Sequence, residues 1–337
     1  SMSEIHSFPN QQGCIPGTAP PAIRPPIQAA SPWLAPLAGF SDLPFRLLCR
    51  EHGCTVACTE MVSAKGLLYN SPGTESLLAT SPLDQPLVVQ LFGSEPGELS
   101  RAVSLLKERG HVFFDLNAGC SVRKVASAGS GAALLKDPGR LEAMVTAMAE
   151  AARPGAVGVK IRSGWRHGAP DCREIVPRLA HAGAGWITLH PRTAVQGFSG
   201  SADWGLIREV ASLSEIPVIA SGDLFTAEDG LRCLEETGAD AIMFARGALR
   251  DPAIFRHFSA RKGVPPAFCQ KGLVTMIRRH MELSRAYGER GRALLKMRTF
   301  VPRYLKSIPG ARALRKELTS CTSWEQLESI LARIDRS

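Results

Sequence analysis

Eight short apolar runs, each followed by a stretch with helical spacing, recur between Trp33 and Phe244. This alternation limits the fold more than any other feature of the chain. The runs are Trp33 to Leu37, Val56 to Glu60, Pro86 to Leu91, Val112 to Leu116, Ala156 to Ile161, Trp186 to His190, Pro217 to Ala220 and Ala241 to Phe244. Amphipathic stretches such as Glu98 to Arg109, Gly139 to Ala152, Asp171 to Ala182 and Ala227 to Thr237 lie between them. Strands that are apolar nearly throughout, rather than at every second position, belong in a parallel sheet whose outer face is covered by helices. Eight such units in about 220 residues fit an α/β fold of the (β/α)8 TIM-barrel type. An open doubly wound sheet is the competing arrangement. It would carry a GxGxxG turn after the first strand, and the sequence has none there.

Beyond Pro252 the strand signals stop. Met276 to Arg285, Ala293 to Leu305, Ala311 to Leu318 and Ser323 to Arg333 have helical spacing, separated by breakers such as Gly288, Gly291 and Pro309-Gly310. Ser323 is placed to cap the last helix, with Gln326 at the capping-box position. From Arg256 onward there are 18 Lys and Arg against 6 Asp and Glu, a net of +12, whereas residues 1 to 255 carry 22 against 25, a net of −3. Positive charge concentrated in one helical region implies a polyanionic partner, because neutralising phosphates releases condensed counterions.

The expected organisation is a Pro-rich, poorly ordered lead-in over residues 1–31, with Ser1-Met2 read as a cloning scar, a barrel over 32–256 and a small basic all-helical domain over 257–337. Nine cysteines, scattered without a CxxC pair, point to reduced thiols in a cytoplasmic protein and to no metal site. No run approaches the roughly 18 apolar residues of a membrane span. A monomer is the default expectation.

Polar or small residues stand where the strands finish. The first run ends in Pro36-Leu37-Ala38, the third in Gln90 and the fourth in Asn117; the fifth carries Lys160-Ile161-Arg162, the sixth His190 and Arg192, the seventh Ser221-Gly222-Asp223 and the eighth Ala245-Arg246. Carboxyl ends of barrel strands converge on one mouth, so these groups face a single ligand. Glycine-containing turns after the last two strands suit a phosphate, because bare backbone N–H groups and helix amino termini attract dianions. Gln90, Asn117 and Lys160 offer donors to an electron-poor heterocycle with carbonyl oxygens. A flavin mononucleotide matches both halves. The loop Asn117 to Lys124 adds a thiol, Cys120, and two cations, Arg123 and Lys124. Singly, each residue has a structural explanation as well: Gln90 as a strand cap, Lys160 in an interior ion pair, His190 as a satisfied core histidine.

The ordered set of motifs resembles the tRNA-dihydrouridine synthases of bacterial type. It comprises Ala35-Pro36-Leu37-Ala38-Gly39 with Asp42 to Arg46, Thr59 to Ala64, Val89 to Gly93, Asp115 to Val125, Gly129 to Leu135, Val159 to Arg162, Ala202-Asp203-Trp204, Met297-Arg298, Tyr304-Leu305-Lys306 and Pro309-Gly310-Ala311. The resemblance spans about residues 33 to 333. It implies an FMN oxidoreductase that uses NADPH to reduce particular uridines of tRNA to 5,6-dihydrouridine. Flavin N5 would give a hydride to C6 of the uracil, and Cys120 would give the proton to C5. An acid must hold its proton at working pH, which an ordinary thiol does. By the same resemblance Pro36, Leu37, Ala38, Gln90, Lys160, Ser221, Gly222, Asp223, Ala245 and Arg246 contact the flavin. Asn117, His190 and Arg192 lie near the flavin or the uracil. Arg298, Arg303, Lys306, Arg312, Arg315 and Lys316, with Arg123 and Lys124, are the expected phosphate contacts on RNA. A uridine buried in folded RNA must turn out of its stack to enter a barrel mouth.

Three residues depart from the family pattern: Ser121 where proline follows the cysteine, Pro191 where glycine separates the histidine and arginine, and Ser221 where asparagine precedes Gly-Asp. Proline restricts the residue before it, so Ser121 implies a less constrained Cys120. The competing functions are an FMN barrel acting on a small free pyrimidine, the same enzyme acting on ribosomal RNA, and a non-catalytic RNA-binding barrel. The localised charge of +12 disfavours the small substrate, and retention of Cys120 and Lys160 disfavours the non-catalytic barrel.

Overall fold

Nine strands follow the apolar runs in a computed structural model that describes residues 17–168, 170–260 and 270–336. They are β1 (Trp33–Leu34), β2 (Val56–Cys58), β3 (Val62–Ser63), β4 (Leu87–Phe92), β5 (Phe113–Ala118), β6 (Val157–Arg162), β7 (Trp186–His190), β8 (Val218–Ala220) and β9 (Ala241–Phe244). All pairings are parallel. β1 pairs with both β2 and β9, β2 with β4, and β4 to β9 pair in order, so eight strands close a ring. This is the expected TIM barrel. The unexpected strand is β3, which adds Val62 and Ser63 to the upper end of β4, opposite Leu91 and Phe92.

The strands alternate after all. Trp33, Val56, Cys58, Val88, Trp186, Ile219, Ala241 and Met243 form one apolar cluster, and the residues between them, such as Leu34, Ala57, Val89, Leu91, Ile187 and Leu189, join a second with the helices. Successive side chains on a strand point to opposite faces, so the first cluster fills the barrel and the second covers it. Both faces are apolar low in the barrel, which is why the runs read as continuous. Trp33 and Trp186 cross there edge to face at 5.8 Å. Gly158 makes room: a Cβ at that position would lie 2.0 Å from the Trp186 ring. Toward the carboxyl ends the inward positions become polar, giving Gln90, Asn117, Lys160, Arg162 and His190.

The barrel helices are α1 (Leu43–Glu51), α2 (Ala64–Leu68), α3 (Pro96–Glu108), α4 (Arg123–Ala126), α5 (Pro138–Ala151), α6 (Cys172–His181), α7 (Trp204–Leu213), α8 (Ala227–Thr237), α9 (Arg246–Arg250) and α10 (Ile254–Ser259). Asp42 caps α1 by accepting from the Phe45 N–H at 3.1 Å, and burial pushes its carboxyl up to about 6. Within α1, Arg46 and Arg50 both reach Asp84, at 2.8 and 2.9 Å, tying the helix to the segment before β4.

Residues 1–16 of the expected lead-in lie outside the described residues, and from Ile23 the chain bonds to the barrel. Ile23 N–H donates to Pro154 O at 2.8 Å, Arg24 Nε to Gly185 O at 2.9 Å and Trp33 Nε1 to Pro26 O at 3.0 Å, and Ile27 packs on the interior cluster. These bonds satisfy polar groups at the floor of the barrel that would otherwise lack partners. The division expected after residue 256 falls inside α10, whose Phe255 and Phe258 pack on Phe244 of β9. That puts the proposed junction after Ser259, and residues 261–269 lie outside the described residues.

Four helices complete the chain: α11 (Gln270–Tyr287), α12 (Ala293–Tyr304), α13 (Ala311–Thr319) and α14 (Trp324–Arg336). α11 lies against α1, where Arg279 pairs with Glu51 at 2.6 Å. Phe45 stacks on Phe300 at 5.0 Å, and His280 meets Phe300 at 4.7 Å. No described helix is long and apolar enough to cross a membrane.

Candidate active site

A cavity of about 440 Å³ opens at the carboxyl ends of the strands. Its walls include Pro36, Leu37, Ala38, Gln90, Asn117, Cys120, Lys160, His190, Ser221, Gly222, Asp223, Ala245 and Arg246. Thirteen of the fourteen residues expected around flavin and uracil therefore share one pocket. The exception is Arg192, which stands behind the wall. Its Nη1 is 3.3 Å from His190 Nε2, and its Nη2 donates to both carboxylate oxygens of Asp223 at 2.8 and 3.1 Å.

The Cys120 loop is held through its backbone. Asn117 Oδ1 accepts from the N–H of Gly119 at 3.1 Å and of Cys120 at 3.0 Å, and Cys120 O accepts from Ala132 N–H at 2.8 Å. Gly131 has φ +61°, and a Cβ there would come within 2.6 Å of Cys120 O. Both peptide groups of Cys120 are thus engaged, which answers the expectation that Ser121 leaves it less constrained: the anchors are Asn117 and Ala132. Cys120 is half-buried, whereas the six other described cysteines are buried.

Beneath the loop runs a chain of side-chain hydrogen bonds. Asn117 Nδ2 donates to Gln90 Oε1 at 3.1 Å, and Gln90 Nε2 donates to Asp115 Oδ2 at 2.8 Å. The pairing of Gln90 with Asp115 across β4 and β5, and the two-residue step from Asp115 to Asn117, put all three on the inner face. Burial pushes the Asp115 carboxyl up to about 7, against the Gln90 bond and the nearby Lys160 charge.

Positive charge dominates the mouth. The Lys160 ammonium makes no hydrogen bond or ion pair with the described residues, and burial, then Arg162, lowers its pKa. Arg162 lines the cavity beside it and donates to Gly197 O at 2.5 Å; burial, then Arg192, lowers it to about 10. His190 is pushed down to about 2 by burial, then by Arg162, Lys160, Arg192 and Arg246. It is neutral near pH 7. A guanidinium only donates, so Nε2 of His190 is the acceptor toward Arg192. Above these groups lies Phe198, 59% exposed, with Arg246 at 4.2 Å and Arg162 at 5.3 Å from its ring centre.

The turns after β8 and β9 complete the wall. Gly222 has φ +99° and Asp223 +57°. A Cβ at Gly222 would approach His190 Cδ2 at 2.8 Å, so this stretch of backbone is necessarily bare. The Asp223 carboxylate accepts from Arg192 at 2.8 Å and from the Ala202 N–H at 2.7 Å, and lies 3.8 Å from Arg246 Nη2. The first amides of α9, at Arg246 and Gly247, have no partner within that helix.

Arg162, expected with Lys160 at the end of its strand, lines the cavity, whereas sequence reasoning missed Met61, Phe198 and Phe225 in its wall and Asp115 beneath it. Asp115 was detectable: it stands two residues from a recognised inward group, Asn117. The expected RNA contacts are more dispersed. Arg123, Lys124, Lys306, Arg312 and Lys316 are exposed and Arg315 is half-buried. Arg298 donates to Thr319 O, and Arg303 lies 4.6 Å from the Phe40 ring while bonding Thr299 O at 2.6 Å. Phe40 also lines the cavity, so α12 reaches the mouth. Lys296, which had not been singled out, donates to Gly39 O at 3.0 Å on the same loop.

The profile of the family described as Dihydrouridine synthase (Dus) matches residues 33–336. The chain belongs to the dihydrouridine synthase family. It is 36% identical over 304 residues to the probable tRNA-dihydrouridine synthase 1 of Synechocystis sp., covering 88% of this chain and 84% of that one. It is 32% identical over 288 residues to tRNA-dihydrouridine synthase B of Pseudomonas aeruginosa, covering 84% and 86%. Among solved structures, histamine dehydrogenase from Rhizobium sp. 4-9 superposes with a TM-score of 0.50 at 14% identity, over 74% of this chain and 48% of that one. At that identity the likeness concerns the barrel fold alone. The match to the synthase family covers both the barrel and the helices that follow it.

Proposed function

We propose that this protein is a tRNA-dihydrouridine synthase that binds FMN, takes reducing equivalents from NADPH and acts in the cytoplasm as a monomer. The observation that carries the reading is the convergence of Cys120, Lys160 and the two glycine-containing turns on one cavity of about 440 Å³, within the usual range for a cofactor site.

The pocket suits the cofactor on its own chemistry. Gln90 and Lys160 would hold the carbonyl edge of the ring, with Pro36 to Ala38 packing beside it. The bare Ser221 to Asp223 turn, the first amides of α9 and the Arg246 side chain would take the phosphate. The Asp223 charge does not oppose this, because Arg192 neutralises it. Bound FMN would supply the hydride that saturates C6 of a uracil.

The residues around it do the rest. Cys120 would donate the proton to C5, and the local electrostatics support that assignment. His190 is held neutral and accepts from Arg192, so it has no acidic proton to give at neutral pH. Asp115 is buried beneath the pocket rather than in its wall. The thiol remains the group on the loop with a transferable proton. Arg162 would stabilise negative charge on the uracil carbonyls as C6 is reduced. Arg123, Lys124, Arg298, Arg303, Lys306, Arg312, Arg315 and Lys316 would meet tRNA phosphates.

Incubating the protein with FMN, NADPH and tRNA made without modifications should yield dihydrouridine. Cys120→Ala should still bind FMN and oxidise NADPH while product formation falls by about two orders of magnitude, the usual loss with a general acid. No product from the wild-type protein would overturn the function, and an unimpaired Cys120→Ala would remove Cys120 from its role.

A further inference from the structure

Asp115 has no place in the chemistry just described, yet it is a costly residue to keep inside a barrel. A buried carboxylate loses several kcal/mol of hydration unless it is paired. No cation lies within ion-pairing distance of Asp115 among the described residues, and its side-chain hydrogen-bond partner is an amide, Gln90. The inward positions lower in the barrel, such as Trp33 and Ala241, are apolar. Stability alone would favour the same at 115.

The direction of the hydrogen bonds suggests what the carboxylate does. Asp115 Oδ2 accepts from the NH2 end of Gln90 at 2.8 Å, and that bond turns Gln90 Oε1 upward. That oxygen selects the NH2 end of Asn117, which turns Oδ1 toward the loop. Oδ1 then accepts from the N–H groups of Gly119 and Cys120. Each amide could be reversed in isolation, but reversing Gln90 would set its NH2 against the NH2 of Asn117. Reversing both would set NH2 against the backbone donors of the loop.

We propose that Asp115 is a positioning residue: by fixing the direction of the Gln90 and Asn117 amides it holds the backbone of Cys120 in place at the pocket wall. The consequence for turnover rests on the proposed role of Cys120, but the physical test does not. Residue-resolved hydrogen exchange is measured on the full chain for wild type, Asp115→Ala and Asp115→Asn, with amides of residues 157–162 in β6 as the reference. Alanine removes the acceptor, whereas asparagine can still offer Gln90 an oxygen.

Gly119 and Cys120 amides should exchange about tenfold faster in Asp115→Ala, the equivalent of one hydrogen bond of ordinary strength, with the β6 reference unchanged. Asp115→Asn should return them close to the wild-type rate. The proposal is overturned if the loop amides of Asp115→Ala keep the wild-type rate, if loop and reference accelerate together, or if asparagine behaves as alanine does. Should Asp115→Ala fail to fold, Gln90→Leu breaks the next link and must also accelerate the loop amides. In dihydrouridine assays Asp115→Ala should lower kcat and leave KM for tRNA unchanged. If the wild-type protein makes no dihydrouridine, the function falls while the exchange result stands.

Discussion

A methyl group on Gly131 would press within 2.6 Å of the Cys120 carbonyl oxygen, at a residue whose φ of +61° already disfavours a side chain. The two penalties fall on the same peptide, so Gly131→Ala should destabilise the fold by about 1–3 kcal/mol and shift the Cys120 loop. Thermal melting checks the first effect. Dihydrouridine formation checks the second, and it should fall further than stability explains. The same residue scale separates what the sequence made legible from what it hid. Cys120, Lys160 and Gln90 stand out because polar side chains interrupt apolar runs. Asp115 is equally polar, but recognising it requires the parity of its strand, and the doubly apolar floor around Trp33 and Trp186 hides that parity. Phe198 is hidden more thoroughly: it lies on the loop after β7 that folds back over the mouth, where no periodic pattern marks direction.

Elements were the most legible scale, because each carries its own signal. α8 spans Ala227–Thr237, the range its apolar spacing predicts, with Thr226 and Asp229 forming a capping box. The cap on α14 is more instructive. Ser323 Oγ accepts from Gln326 N–H as expected, but the Gln326 side chain reaches back one residue further, to Thr322 N–H at 2.7 Å. Contacts between distant elements were not legible, and Asp84 is the sharpest case. Its carboxylate is wholly buried between Arg46 and Arg50, joining α1 to the segment before β4 across 38 and 34 residues of sequence. Removing one member of a buried ionic cluster leaves the others desolvated without compensation. Asp84→Ala should therefore cost about 3–5 kcal/mol, read as a lower denaturant midpoint at unchanged slope. A loss below about 1 kcal/mol, the range of an exposed pair, would show that the cluster carries little.

At the scale of the whole molecule, the helices after the barrel are held to it by an interior contact that responds to acid. His280 of α11 is fully buried among Phe45, Phe300 and Tyr304; its Nδ1 is 3.0 Å from the Tyr304 hydroxyl, and Nε2 has no partner. Burial pushes its pKa down to about 3 from the usual 6.5. The unfolded chain therefore binds a proton below pH 6.5 that the folded protein refuses until about pH 3. The stabilisation from keeping His280 neutral is complete above 6.5 and is lost progressively as pH falls through that window. Asp42 and Asp115, raised to about 6 and about 7, act in the opposite sense over part of the same range, because the folded state retains their protons at higher pH than the unfolded chain. The wild-type profile alone would hide the histidine effect. Comparison with His280→Phe isolates it, since the carboxyl groups are common to both proteins and the lost Tyr304 contact shifts stability by an amount independent of pH. The stability difference should change in favour of His280→Phe as pH falls from 6.5 to 4, with a slope approaching about 1.4 kcal/mol per pH unit, the value for one proton. Parallel profiles over that range would mean that His280 takes up its proton without disturbing the contact between α11 and the barrel.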